Sequence, residues 1–206
     1  MIRRKLKPSP LTQIVVLVLA LAVALGTALC FPDATLLPSV RAAESAGGAA
    51  KRAPAWKVYF SPKGGCTEAV VEALGKANRS VIVQAYSFTS APIAKAIVDA
   101  KRRGVRVEVI LDKSQVTEKY SSADFLAHEG VPTYIDSAHA IAHNKVMVID
   151  DKTVLTGSFN FTKAAEESNA ENLLVIQDAK LASKYSENWR AHFQHTRVYE
   201  GKPGSK

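Results

Sequence analysis

Cysteine is nearly absent from this chain: of 206 residues, only Cys30 and Cys66 carry thiols. Long apolar runs are scarce too. The one present, Ile14 to Leu29, falls short of the roughly 20 residues a membrane-crossing helix needs. No internal repeat is present, which excludes a repeat array. Acidic residues are in deficit, 19 against 27 lysines and arginines, leaving a net charge of +8. A basic balance of this kind suits a polyanionic partner without specifying one.

The apolar run has Arg3, Arg4, Lys5 and Lys7 before it and Pro32, Asp33 and Pro38 after it, which is the layout of a secretory signal. Residues 1–42 are therefore expected to be a signal peptide cleaved near Val40–Ala42. Residues 43–55, AESAGGAAKRAPA, have no apolar period and read as a flexible leader. The expected localisation is periplasmic or secreted. If the N-terminal segment were retained, it would anchor the protein to a membrane. Cleavage removes five basic residues and Asp33, so the net charge falls from +8 to +4. It also leaves Cys66 as the sole cysteine, which excludes an internal disulfide and a cysteine metal cluster.

Residues 56–206 are expected to form one globular domain. WKVYF reads as a strand, and TEAVVEALGKA as a helix with Thr67 as its N-cap. SVIVQAYSFTS is a nearly continuous apolar strand, followed by a helix over residues 91–103 with Pro92 in its first turn. VRVEVILD and VPTYI are further strands, with a helix over residues 122–129 between them. KVMVID and TVLTGS have hairpin spacing around Asp151 and Lys152. A short helix over 163–167, the strand ENLLVIQ and a helix from Ala179 to about His195 complete the chain. The rhythm predicts an α/β fold: a single domain with a mixed, largely parallel β-sheet flanked by helices on both faces.

Chemistry concentrates in AHNKVMVID, residues 142–150. On an extended strand His143 and Lys145 share a face, with α-carbons roughly 7 Å apart. Ser158 and Asn160 pair in the same way, and Glu171 opens a third strand. Each residue alone is ordinarily structural. Together they offer an imidazole able to attack phosphorus, an ammonium for developing charge, two polar donors and a carboxylate to orient the imidazole. No HxH and no cysteine pair seeds a metal centre, and Lys145 is a poor ligand, so no catalytic metal and no cofactor is expected.

His143, Lys145 and Asp150 reproduce the spacing HxKxxxxD, and GSFNFT from Gly157 is similar to the continuation of that motif in the phospholipase D superfamily. With VQAYSFTS and GVRVEVILDK upstream, the chain resembles the superfamily's small secreted or periplasmic, metal-independent endonucleases over about residues 56–195. The resemblance implies a metal-independent phosphodiesterase working through a covalent phosphohistidine. In it His143, Lys145 and Glu171 are catalytic, and Lys145, Ser158 and Asn160 hold the phosphate. Asp150 points to the opposite strand face and is expected to support the motif structurally. The mechanism uses two histidines, yet the motif occurs once, because His128, His139, His192 and His195 each lack a lysine two places on. A homodimer completing one shared site follows. The expected substrate is nucleic acid, cleaved nonspecifically as DNA, with RNA as a second class. The alternatives are a phospholipase D-type lipid phosphodiesterase and a nucleic-acid-binding protein without turnover.

Overall fold

The computed structural model describes residues 55–203. The expected signal peptide, and the leader apart from Ala55, lie outside the described residues.

Among the described residues, the apolar runs SVIVQA and RVEVILD occupy the middle of an eight-stranded sheet. Ser80–Ala85 (β2) and Arg106–Asp112 (β3) pair in parallel, and β3 pairs in parallel with Thr133–Asp136 (β4). The connections are helical: Ala91–Arg102 (α2) links β2 to β3, and Ala123–His128 (α3) precedes β4. Both helices end on a glycine in the left-handed region, Gly104 after α2 and Gly130 after α3.

The rest of the sheet is antiparallel. Lys145–Ile149 (β5) lies against β2 and forms a hairpin with Thr153–Gly157 (β6). Glu171–Gln177 (β7) follows β6, and Trp56–Ser61 (β1) closes that edge. The order is β1-β7-β6-β5-β2-β3-β4-β8, with β8 spanning Thr196–Val198. The sheet is mixed, as expected, but its parallel part is confined to the β2-β3-β4 block, because the second half is joined by a hairpin and a short helix rather than by crossovers.

Three local expectations change. Helix α1 runs Cys66–Gly75 and starts at Gly65, in the left-handed region at φ 81°, so Thr67 lies inside the first turn and does not cap it. The cap comes from far away: Glu166, in helix α4 (Lys163–Glu167), accepts from Gly65 N at 3.2 Å and from Thr67 N at 2.7 Å. The hairpin turn is centred on Asp150 and Asp151, both at positive φ, with Lys152 N donating to Ile149 O at 3.1 Å. Finally, helix α5 is Ala179–Phe193 and stops short of His195. The next residues form β8, because β4 would otherwise be a bare edge and Thr196 and Val198 suit a strand.

Alternation along β5 divides the core between the two faces of the sheet. Met147 and Ile149 join the large cluster under α1, α2 and α3, with Val70, Leu74, Ile93, Ile97 and Leu126. Val146 and Val148 face the other way and meet Ala182, Leu181 and Tyr185 of α5. Trp189 fixes α5 to the sheet by donating from Nε1 to the carbonyl of Val83 at 2.9 Å. Cys66 is fully buried in the larger cluster, and burial with nearby glutamates pushes its thiol up to about 11.

Candidate active site

Strand directions decide what meets. β5 begins where β2 ends, since Ala85 pairs with Lys145. β6 runs back to the same end, and β7 starts there, with Gly157 opposite Leu173. The mouths of β5, β6 and β7 and the end of β2 therefore share one rim of the sheet.

His143 lies two residues before β5 and is exposed, while Lys145 opens the strand and is buried to 7% exposure. The chain between them is already extended, because Tyr86 N donates to Asn144 O at 2.8 Å. Lys145 Nζ donates to the carbonyl of His143 at 3.0 Å and sits 5.1 Å from the centroid of the Tyr86 ring. That ring also packs on His143, centroid to centroid 4.5 Å. Tyr86 thus braces both polar side chains. Its place one residue past a buried strand is the only sequence signal for it. Burial lowers the pKa of Lys145 from the usual lysine value, and the charge of Glu171 opposes that shift. One ammonium proton is used on His143 O, leaving the others for oxygen atoms of a ligand.

The GSFNFT segment works by alternation. Phe159 and Phe161 are fully buried, while Ser158 is exposed and Asn160 half-buried between them. The carbonyl of Phe161 accepts from Thr89 N and Ser90 N, beyond the end of β2, so the segment leaves β6 and crosses the mouth of β5. The departure requires Gly157: a Cβ there would stand 2.2 Å from the carbonyl oxygen of Asn172, at φ +149°. Ser158 Oγ accepts from Asn172 N at 3.1 Å and from its side-chain amide at 3.3 Å, which leaves the hydroxyl proton free to donate outward. Asn160 Oδ1 is buried without a hydrogen-bond partner.

Glu171 opens β7 opposite Ser61, whose Oγ accepts from Glu171 N at 3.2 Å; Asn169 donates to Glu171 Oε1 at 3.3 Å. Among the described residues no hydrogen bond joins Glu171 to His143, and its field acts on Lys145. Asp150 is not brought to this rim. It lies at the other end of β5, about 17 Å along the strand from Lys145. Its carboxylate accepts from the backbone amides of Asn78, Arg79 and Ser80 at 2.7–3.2 Å, and those bonds hold its pKa down against burial. A cavity of about 230 Å³ lined by Tyr59, Glu72, Lys76 and Lys152 also lies at the Asp150 end, so it is no part of the rim.

Residues 70–193 match the family described as cardiolipin synthase, PLD-like domain. The chain belongs to the phospholipase D superfamily. Among solved structures it is similar to Nuc from Salmonella typhimurium, a phospholipase D family member. The two are 41% identical with a TM-score of 0.70, and the match covers 72% of this chain and 100% of that one. Among curated proteins it is 45% identical to a phospholipase D of Rickettsia typhi over 63% of this chain and 64% of that protein. It is 35% identical to a mitochondrial cardiolipin hydrolase of Xenopus laevis over 58% of this chain and 57% of that protein. The chain therefore spans a little under two thirds of the first relative's length and less of the second's.

A second polar cluster escaped the sequence reading. Asp136, His139, His192 and His195 offer ligand atoms that all lie within 4.8 Å of one another. The spacings DxxH (136, 139), HxxH (192, 195) and HxxxH (139, 143) are all present in the sequence. The HxxxH spacing brings two histidines side by side in a helix, and residues 137–144 form a loop. His139 turns to Asp136 instead.

Proposed function

We propose that the chain is a metal-independent phosphodiesterase that cleaves nucleic acid, DNA first, through a covalent phosphohistidine. The carrying observation is the joined pair at the sheet rim: an exposed imidazole backed by Tyr86, beside a buried ammonium with protons left for a phosphate. An imidazole nitrogen of His143 attacks phosphorus, a P–N bond forms and the P–O bond to the leaving group breaks. The leaving oxygen takes a proton from a second histidine, which then removes one from the water that breaks the P–N bond. Lys145 and Ser158 donate to the nonbridging oxygens, and Asn160 completes the cradle. Glu171 tunes the charge of the site. The second histidine is His143 of another copy, so the active form is a homodimer about a two-fold axis.

The surplus of lysine and arginine over acidic residues, 27 against 19 in the full chain, supports nucleic acid as substrate, since phosphate contacts need no base readout. Likeness to a cardiolipin hydrolase favours lipid as the second reading, because the same two histidines serve a lipid phosphodiester. We also propose export as the route by which residues 1–42 direct the enzyme to the periplasm or outside the cell. Plasmid nicking by wild type and His143→Ala, beside release of phosphatidate from phospholipid vesicles, tests the reading. Nicking by wild type alone, with divalent ions chelated and well below the melting temperature, is expected. Full nicking by His143→Ala, or lipid turnover without nicking, would overturn it.

A further inference from the structure

Three strands away from β5, the rim carries a buried carboxylate ringed by imidazoles. Asp136 ends β4 with its side chain fully buried. His192 Nδ1 lies 2.9 Å from Asp136 Oδ2, His139 Nδ1 3.0 Å and His195 Nε2 3.5 Å. The three rings pack on one another, with centroids 4.8, 5.1 and 5.5 Å apart. Four elements supply them: the end of β4, the loop beyond it, the last turn of α5 and the turn into β8. Aromatic packing holds α5 in place, as Phe193 meets Tyr134 of β4 edge-on at 4.8 Å and Trp189 at 5.3 Å.

The nitrogens converge on one carboxylate: His192 and His139 lie within hydrogen-bond distance of Oδ2, His139 also lies 3.2 Å from Oδ1, His195 stands off at 3.5 Å, and Ala138 N donates to Oδ1 at 3.1 Å. A tetrahedral zinc ion with bonds of about 2.0–2.1 Å needs ligand atoms roughly 3.3 Å apart. The carboxylate-to-imidazole distances of 2.9–3.5 Å already bracket that value.

We infer that Asp136, His139, His192 and His195 bind one divalent transition-metal ion, zinc by preference. Three neutral imidazoles and one carboxylate suit zinc among the first-row metals, and four protein ligands leave no open position for substrate or water. The ion is therefore structural. It ties the start of the 137–144 loop to α5, while the other end of that loop is tied by Asp112 Oδ2, which accepts from Ala142 N at 2.7 Å. His143 follows directly. The site is separate from the chemistry: at about 4.8 Å per strand, β4 and β5 lie roughly 14 Å apart.

The test uses the full chain stripped with a chelator and titrated with zinc chloride by calorimetry, and with cobalt(II) by visible absorption. Wild type is expected to take one equivalent with sub-micromolar affinity, to show the strong absorption of tetrahedral cobalt, and to melt at a higher temperature with zinc. His139→Ala and His195→Ala remove exposed rings and keep the buried carboxylate, so both should fold. Each should weaken zinc binding by at least about 100-fold and abolish the zinc-dependent rise in melting temperature. Failure of folded wild type to bind zinc at micromolar concentration, or equal affinity in wild type and both variants, overturns the site. None of these readouts depends on nuclease activity, so they stand or fall apart from the proposed chemistry.

Discussion

Replacing Asp150 with asparagine separates the structural from the chemical meaning of the third motif residue. The carboxylate is 3% exposed and accepts from three consecutive backbone amides at the entry to β2. A hydrogen bond to a charged acceptor contributes about 1.5–3 kcal/mol net, and such bonds are not additive. Asparagine keeps one acceptor oxygen, loses the charge and turns an NH2 toward the remaining donors. The expected loss is about 2–4 kcal/mol, which in a domain of this size lowers the melting temperature by roughly 10 °C. The sign with pH follows from the depressed carboxyl pKa. Wild type has the full contribution above the unfolded aspartate value of about 3.9 and loses it as pH falls through the lower folded value. Urea unfolding of both proteins from pH 7 to pH 2.5 should show a wide gap that closes only at the acid end. Well below its melting temperature, Asp150→Asn should nick plasmid at a rate within about threefold of wild type. An unchanged melting temperature with nicking reduced by about 100-fold or more would refute the reasoning and make Asp150 a participant in catalysis.

Two further substitutions probe the rim. Lys145→Met keeps the buried stem and removes the ammonium, so nicking should fall by about 100- to 1,000-fold with little change in unfolding; a rate within about fivefold of wild type would remove Lys145 from the site. Gly157→Ala places a methyl 2.2 Å from the Asn172 carbonyl at a φ that suits glycine, and should destabilise by about 2–3 kcal/mol in urea. A change below about 0.5 kcal/mol would mean that the β6–β7 contact relaxes freely.

Much of this was legible in the sequence because apolar period and turn chemistry are local. The runs SVIVQA, RVEVILD and ENLLVIQ became strands, and Gly104 and Gly130 stop their helices. The rim residues were legible because HxKxxxxD and GSFNFT encode spacing along a chain that strands keep straight. What was lost is long-range. No pattern near Thr67 announces that Glu166, 99 residues on, will cap α1. The strand Thr196–Val198 exists because β4 offers an open edge, a fact of assembly that a three-residue run cannot state. Tyr86 and the cluster around Asp136 were missed for the same reason, since their partners come from separate elements that only the sheet brings together.

The alternation of FNF has a consequence for how this protein can change. Phe159 and Phe161 fill the core while Ser158 is exposed and Asn160 half-buried at the rim, so neighbouring positions answer to different demands. Varying the even positions changes the polar groups at the rim and leaves the phenyl packing of the core in place. Varying the odd ones empties the core by a phenyl ring and costs about 3–5 kcal/mol whatever the substrate. On the proposed function, substrate preference and stability are thus written in interleaved letters of one short segment.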